Sequence, residues 1–170
     1  MTELYVIVTQ FTLRDLNDFV AQFRNDRVPL EELTLCRSIA DRWRELAQAP
    51  GKPTATVDLR GSRQRLFLPR ELADGRGVYA IFCCPNGGDR KPCFHVGMST
   101  SSLKTRLDTR LRKNVRDNYA GAFGRLARYE RLWACAAIIG NWRNNPANRR
   151  KLGLLEMCLA VYLRGWPYDE

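Results

Sequence analysis

Gly77-Val78-Tyr79-Ala80-Ile81-Phe82-Cys83-Cys84 opens the stretch on which the fold of this chain turns. Pro85-Asn86-Gly87-Gly88-Asp89 follows, and Cys93-Phe94-His95-Val96-Gly97 completes it. The first run is rich in β-formers and reads as a strand. The second has loop chemistry, and the third reads as the returning strand of a hairpin. Gly87-Gly88 therefore sits in a turn. It has no following helix and no Lys-Ser/Thr pair, so it fails the phosphate-loop pattern.

Downstream, Ser99 to Ser102 offers several N-caps for a helix reaching about residue 116. Leu103, Leu107 and Leu111 form its apolar line, and Arg106, Arg110 and Lys113 a basic line on another face. Residues 119–131 read as an Arg-rich loop with a short helix. Trp133 to Ile139 is an apolar run of strand length. Asn145-Pro146 opens a last helix that Gly165 closes, with Pro167 beyond.

Upstream, Leu4-Tyr5-Val6-Ile7-Val8 reads as a short buried strand. Thr12 begins a helix, with Asp15 completing a variant capping box. Leu13, Leu16, Val20 and Phe23 give that helix one apolar face. Pro29 suits the first turn of a second helix, with Glu31 and Glu32 at its positive end. Leu33, Cys36, Ala40, Trp43 and Ala47 make the buried stripe of this second helix, and Pro50-Gly51-Lys52-Pro53 stops it. Residues 54–68 look extended, with a turn near Gly61-Ser62. No repeat or low-complexity stretch is visible.

The 170 residues suit one domain, or a compact domain with an extension, and a 45% hydrophobic fraction can build a core. No apolar run is long enough to span a membrane, and no signal-like segment leads the chain. The expectation is a cytoplasmic protein with no membrane partner, signal-independent secretion also being open. The net charge of +10 is uneven: residues 1–50 carry six Lys/Arg against eight Asp/Glu, and residues 51–170 carry 22 against 10. The basic part suits a polyanion, and the acidic front suits a second task such as binding a protein partner. A solvated arginine-rich surface is the plainer account. Six cysteines without module-like spacing fit buried thiols in a reducing compartment. Cys83, Cys84, Cys93 and His95 make a poor zinc set, because neighbours on a strand face opposite ways and no C-x-x-C pair is present.

Glu156 is the only charged residue between Leu152 and Leu163. A helix apolar on nearly all sides is usually buried, and a buried carboxylate needs a cation. An arginine would serve, and so would a divalent metal such as Mg²⁺. Arg106 and Arg110 share a helix face. They are either surface arginines or a grip for phosphate, whose oxygens a guanidinium holds in pairs. Tyr79 is either a core aromatic or a group managing a proton. A free phenol, with a pKa of about 10, needs help to accept a proton at neutral pH. His95, the only histidine, lies on the paired strand and could take that proton, or could be satisfied structurally.

These positions resemble the GIY-YIG nuclease family over roughly residues 71–169. The resemblance rests on Gly77-Val78-Tyr79, on His95-Val96-Gly97, on Arg106 in the following helix, on Glu156 in the late helix, and on Pro167-Tyr168-Asp169. His95 stands where the family usually has its second tyrosine, Arg110 where histidine is frequent, and Asp169 where an asparagine helps hold the site. The resemblance implies an α/β fold of α+β type. A small three-stranded antiparallel sheet would be flanked by helices in residues 71–170. Residues 1–70 would be a mostly helical, partner-binding or regulatory extension. It also implies a Mg²⁺-dependent DNA endonuclease using one ion, with Mn²⁺ as a substitute. Tyr79 and His95 would handle the water's proton, Arg106 and Arg110 the phosphate charge, and Glu156 the metal. Lys104, Lys113, Arg116, Arg125, Arg128, Arg149 and Arg150 are the candidate DNA-backbone contacts. Two alternatives stand beside it. One is a nucleic-acid-binding module of the same fold without catalysis. The other is a DNase toxin or repair subunit controlled by a protein partner.

Overall fold

The structure is a computed structural model and describes residues 2–25, 27–49, 51–57, 68–83, 93–116 and 131–164. Strand β1 (Thr2–Thr12) leads directly into helix α1 (Leu13–Phe23). Thr12 Oγ1 accepts from the Asp15 N–H, and the Thr12 N–H donates to Asp15 Oδ2, so the expected capping box is formed. Helix α2 (Thr34–Gln48) buries Leu35, Cys36, Ile39, Ala40, Trp43 and Ala47. Pro29 does not enter this helix. It precedes a short 3-10 helix, Leu30–Glu32, because a ring without an N–H caps one turn as readily as it starts a long helix. Strand β2 (Ala55–Val57) is followed by β3 (Gly77–Cys83), β4 (Cys93–Ser99), α3 (Leu103–Arg116), β5 (Arg131–Gly140) and α4 (Pro146–Arg164).

The sheet corrects the sequence expectation. Among the described residues it has five strands in the order β2-β1-β5-β3-β4, and it is mixed rather than purely antiparallel. β3 runs antiparallel to both of its neighbours, β4 and β5, but β1 runs parallel to β5 from Glu3↔Arg131 to Thr12↔Gly140. The cause lies in β5. Leu132 to Ala137 are all buried, so this strand is covered on both faces and its backbone needs a neighbour on each edge. β3 takes one edge and β1 takes the other, which draws β1 out well past Val8. Tyr5 stacks on Trp133, its partner in the register, with ring centroids 5.4 Å apart.

Alternation along the strands divides the interior in two. Val78, Ala80 and Phe82 of β3 pack with Trp133, Cys135 and Ala137 of β5 and with α1, α2 and α4. Tyr79 and Ile81 pack on the other face with Ala134, Ala136 and the Leu103, Leu107, Leu111 line of α3. The buried Trp43 indole N–H donates to the Ala136 carbonyl at 3.3 Å, tying α2 to the central strand. Residues on both sides of position 70 thus share one sheet and contribute to both packed clusters. Cys36, Cys135 and Cys158 are buried and belong to no disulfide. Helix α4 is apolar but not enclosed: Met157 is 65% and Val161 56% exposed. Its inner face alone meets α1, α2 and the sheet, so composition overstated its burial. Among the described residues no helix is long and apolar enough to cross a membrane.

Candidate functional site

Tyr79 and Gly97 face each other across the β3–β4 ladder, and Ile81 faces His95. Paired residues share a sheet face, so Tyr79, Gly97 and His95 all lie on the α3 side. Gly97 has to be small. A β-carbon there would collide with the Tyr79 ring and hydroxyl. The fully buried Tyr79 ring therefore lies across the Gly97 backbone, and its hydroxyl reaches His95 Nε2 at 3.3 Å. Gly77 is constrained too: its φ is +155°, and a β-carbon would strike the Ala137 carbonyl.

Burial, and then the guanidinium groups of Arg110 and Arg106, pull the His95 pKa down to about 4. The imidazole is therefore neutral at physiological pH. With its proton on Nδ1, its Nε2 accepts a hydrogen bond from the phenol.

Ser99 Oγ accepts the N–H groups of Ser101 (3.3 Å) and Ser102 (3.1 Å), turning the chain out of β4. Ser102 Oγ then accepts the Thr105 N–H at 3.3 Å, and its carbonyl accepts the Arg106 N–H at 3.1 Å. The Leu103 N–H donates to the Gly75 carbonyl at 2.9 Å, fixing the helix start against the loop before β3. With Leu103, Leu107 and Leu111 locked inward, Arg106 and Arg110 project from a different side of α3. Arg106 is exposed and Arg110 half-buried.

Glu156 comes from the opposite face of the sheet. Helix α4 packs against β4, and Gly153 brings it close to Met98. Among the described residues β4 is the outermost strand, and residues of α3 and α4 come together at its end. There they form an open cleft of about 530 Å³ lined by Ser99, Thr105, Arg106, Thr109 and Glu156. Glu156 is half-buried. Burial raises its pKa, while the charges of Arg106 and Arg110 act to lower it. Among the described residues it makes neither a hydrogen bond nor an ion pair within 4.0 Å. No arginine among the described residues is in ion-pair contact with it. The carboxylate faces a polar cleft with its oxygens available.

No group of three or more His, Cys, Asp or Glu side chains that could hold a metal occurs among the described residues. A single carboxylate with hydroxyls beside it still fits Mg²⁺, which keeps several waters and uses one or two carboxylates plus phosphate. It does not fit zinc, which takes three or four N/S/O side chains.

Of the five site candidates, Arg106 and Glu156 line the cleft, Arg110 acts with Arg106 on both His95 and Glu156, and Tyr79 is joined to His95 but lies fully buried outside the cleft lining. Lys104, two residues before Arg106, lies on another side of α3. Arg149 and Arg150 are exposed on the first turn of α4, and Arg149 Nη1 donates to Asn144 Oδ1 at 3.1 Å. Lys113 and Arg116 belong to α3, their side chains lying outside the description, as do Arg125, Arg128 and Asp169 altogether. Sequence reasoning took Ser99 and Ser102 only as caps and overlooked Thr105 and Thr109 as cleft residues. The strand period, which puts Ser99 on the same face as Gly97 and His95, was the available signal. Compared with known proteins, this chain has no matching family model, no matching curated protein and no matching solved structure.

Proposed function

We propose that this protein is a Mg²⁺-dependent DNA endonuclease of the GIY-YIG type, hydrolysing phosphodiester bonds by in-line attack of water. One observation carries the reading. Arg106 and a carboxylate without an ion-pair partner among the described residues, Glu156, line one open cleft, and the charges of Arg106 and Arg110 reach both that carboxylate and the His95 imidazole bonded to Tyr79. In this reading β4, β3 and β5, with α3 and α4, form the family's small antiparallel unit, and β1 and β2 extend it.

Neutral His95 accepts a hydrogen bond from the Tyr79 phenol and holds it in place, and in this reading the pair orients the attacking water and manages its proton. The exposed Arg106 holds two non-bridging phosphate oxygens and stabilises the charge that builds on them, and Arg110 adds a second contact. Glu156 would hold Mg²⁺, or Mn²⁺ in its place, and the bound ion supplies Lewis acidity to the phosphate and the leaving oxygen. Lys104, Lys113, Arg116, Arg125, Arg128, Arg149 and Arg150 position the DNA backbone, and Asp169 supports the site. A reducing cytoplasm keeps the buried thiols free.

Nicking of supercoiled plasmid with and without Mg²⁺ tests this. Glu156→Ala should slow nicking by at least about 10³-fold while leaving DNA retention in a gel shift intact. Nicking that survives the substitution, or EDTA, removes the assignment. DNA binding by a wild-type protein that never cuts would favour the second reading, a binding module. The observation behind that reading is Arg110 at the position where the family often carries a proton-transferring histidine.

A further inference from the structure

β2 covers only Thr2 to Leu4 of β1. Thr54 finishes the pairing: its N–H donates to the Leu4 carbonyl at 2.8 Å, and its Oγ1 accepts the Val6 N–H at 3.0 Å. Even-numbered residues of β1 therefore direct their backbone groups away from β5. Beyond Val6 N–H, the carbonyl of Val6 and both backbone groups of Val8 and Gln10 have no partner among the described residues. From Leu4 to Thr12 this edge carries no Lys, Arg, Asp, Glu or Pro, the residues that usually guard a free edge. Val8 is half-buried and Gln10 exposed.

Beside this edge a groove of about 300 Å³ runs between α1 and α2. Phe11, Phe19 and Ile39 are buried apolar residues of its lining, and Asp15 and Asp18 belong to it on the α1 side. Gln22 and Thr34 close one end, bonded to each other through Nε2–H to Oγ1 at 3.1 Å and N–H to Oε1 at 3.3 Å. Arg42, also in the lining, is already paired with Glu45 at 3.1 Å. Asp18 has no ion-pair partner among the described residues, so the groove keeps a negative charge over an apolar floor.

We propose that β1 accepts an extended segment of a partner protein as a sixth strand, with one lysine or arginine of that segment seated in the α1–α2 groove. Backbone groups of Val6, Val8 and Gln10 hold the segment in register. An aliphatic stem suits the apolar floor, and the cationic head suits Asp15 and Asp18. The proposal is independent of the nuclease reading, because none of these residues lies at the catalytic cleft.

The test displays short random peptides against the full chain, with the central position fixed as Lys, Glu or Ala and the flanks drawn from Val, Ile, Thr and Ser. Lys peptides should be enriched over Glu peptides, and affinity follows by fluorescence anisotropy. Val8→Pro removes an N–H that faces away from β5, a position where proline is tolerated, and should weaken binding at least about tenfold. Asp18→Lys on the exposed helix surface should do the same, and Val8→Thr should not. Enrichment of Glu peptides, binding indifferent to Val8→Pro and Asp18→Lys, or no enrichment at all would overturn the proposal. So would a wild-type dimer in sedimentation that Val8→Pro dissociates, since a second copy would then occupy the edge.

Discussion

His95 owes its unusual basicity to its neighbours. The side chain is half-buried, and two arginines stand near it, so protonation brings a third positive charge into the same corner. Its pKa falls from 6.5 to about 4 on folding. The unfolded chain therefore takes up the proton first. Stability is fully present above about pH 6.5 and declines as pH drops toward 4, by up to about 3 kcal/mol in total. An NMR titration of the imidazole Hε1 should show a midpoint near 4. A midpoint in the ordinary histidine range would mean that the ring is not buried beside the two guanidinium groups as described. The sequence singled out Glu156 through its isolation among apolar neighbours, and it put Tyr79 and His95 on paired strands. It could not announce that His95 would be kept neutral. That depends first on burial of the ring and then on two arginines from α3 reaching a strand that is only their neighbour in space.

Local chemistry settled the elements that are fixed by adjacent residues. The capping box at Thr12 and Asp15 was legible because both partners sit within one turn. Thr12→Ala should therefore destabilise the protein by about 1 kcal/mol, a fall of about 2–4 °C in a thermal melt, with no change in sheet content by circular dichroism. A melting point that does not move would show that the box carries no energy. The Leu103, Leu107 and Leu111 line was equally legible, and all three are fully buried. The length of β1 was not. Thr9, Gln10, Phe11 and Thr12 alternate weakly, and nothing among them specifies a strand. They are extended because β5 presents ten consecutive backbone positions alongside. The outer face of α4 was misread for a related reason, since apolar composition cannot say how many neighbours a helix will find.

At the scale of the molecule, the central pair β1–β5 joins residues from opposite ends of the described chain. An antiparallel hairpin can be read from its own turn, but a parallel pairing needs a distant partner that no local pattern names. The same pair predicts how the protein unfolds. With one sheet and both packed clusters shared across position 70, calorimetry should show a single transition whose van't Hoff and calorimetric enthalpies agree. Two resolved transitions would mean that residues 1–70 fold as a separate unit.

The parallel pair also sets a timetable during synthesis on the ribosome. Glu3 must wait for Arg131 and Thr12 for Gly140. At about 5–20 residues per second, that is on the order of 6–25 s with β1 already translated and its partner not yet made. Through that interval a strand with no charged residue between Leu4 and Thr12 has no native neighbour on the β5 side. The nascent chain is most exposed to mispairing then, and a ribosome-bound chaperone that shields this segment would raise the yield of folded protein more than one acting after release.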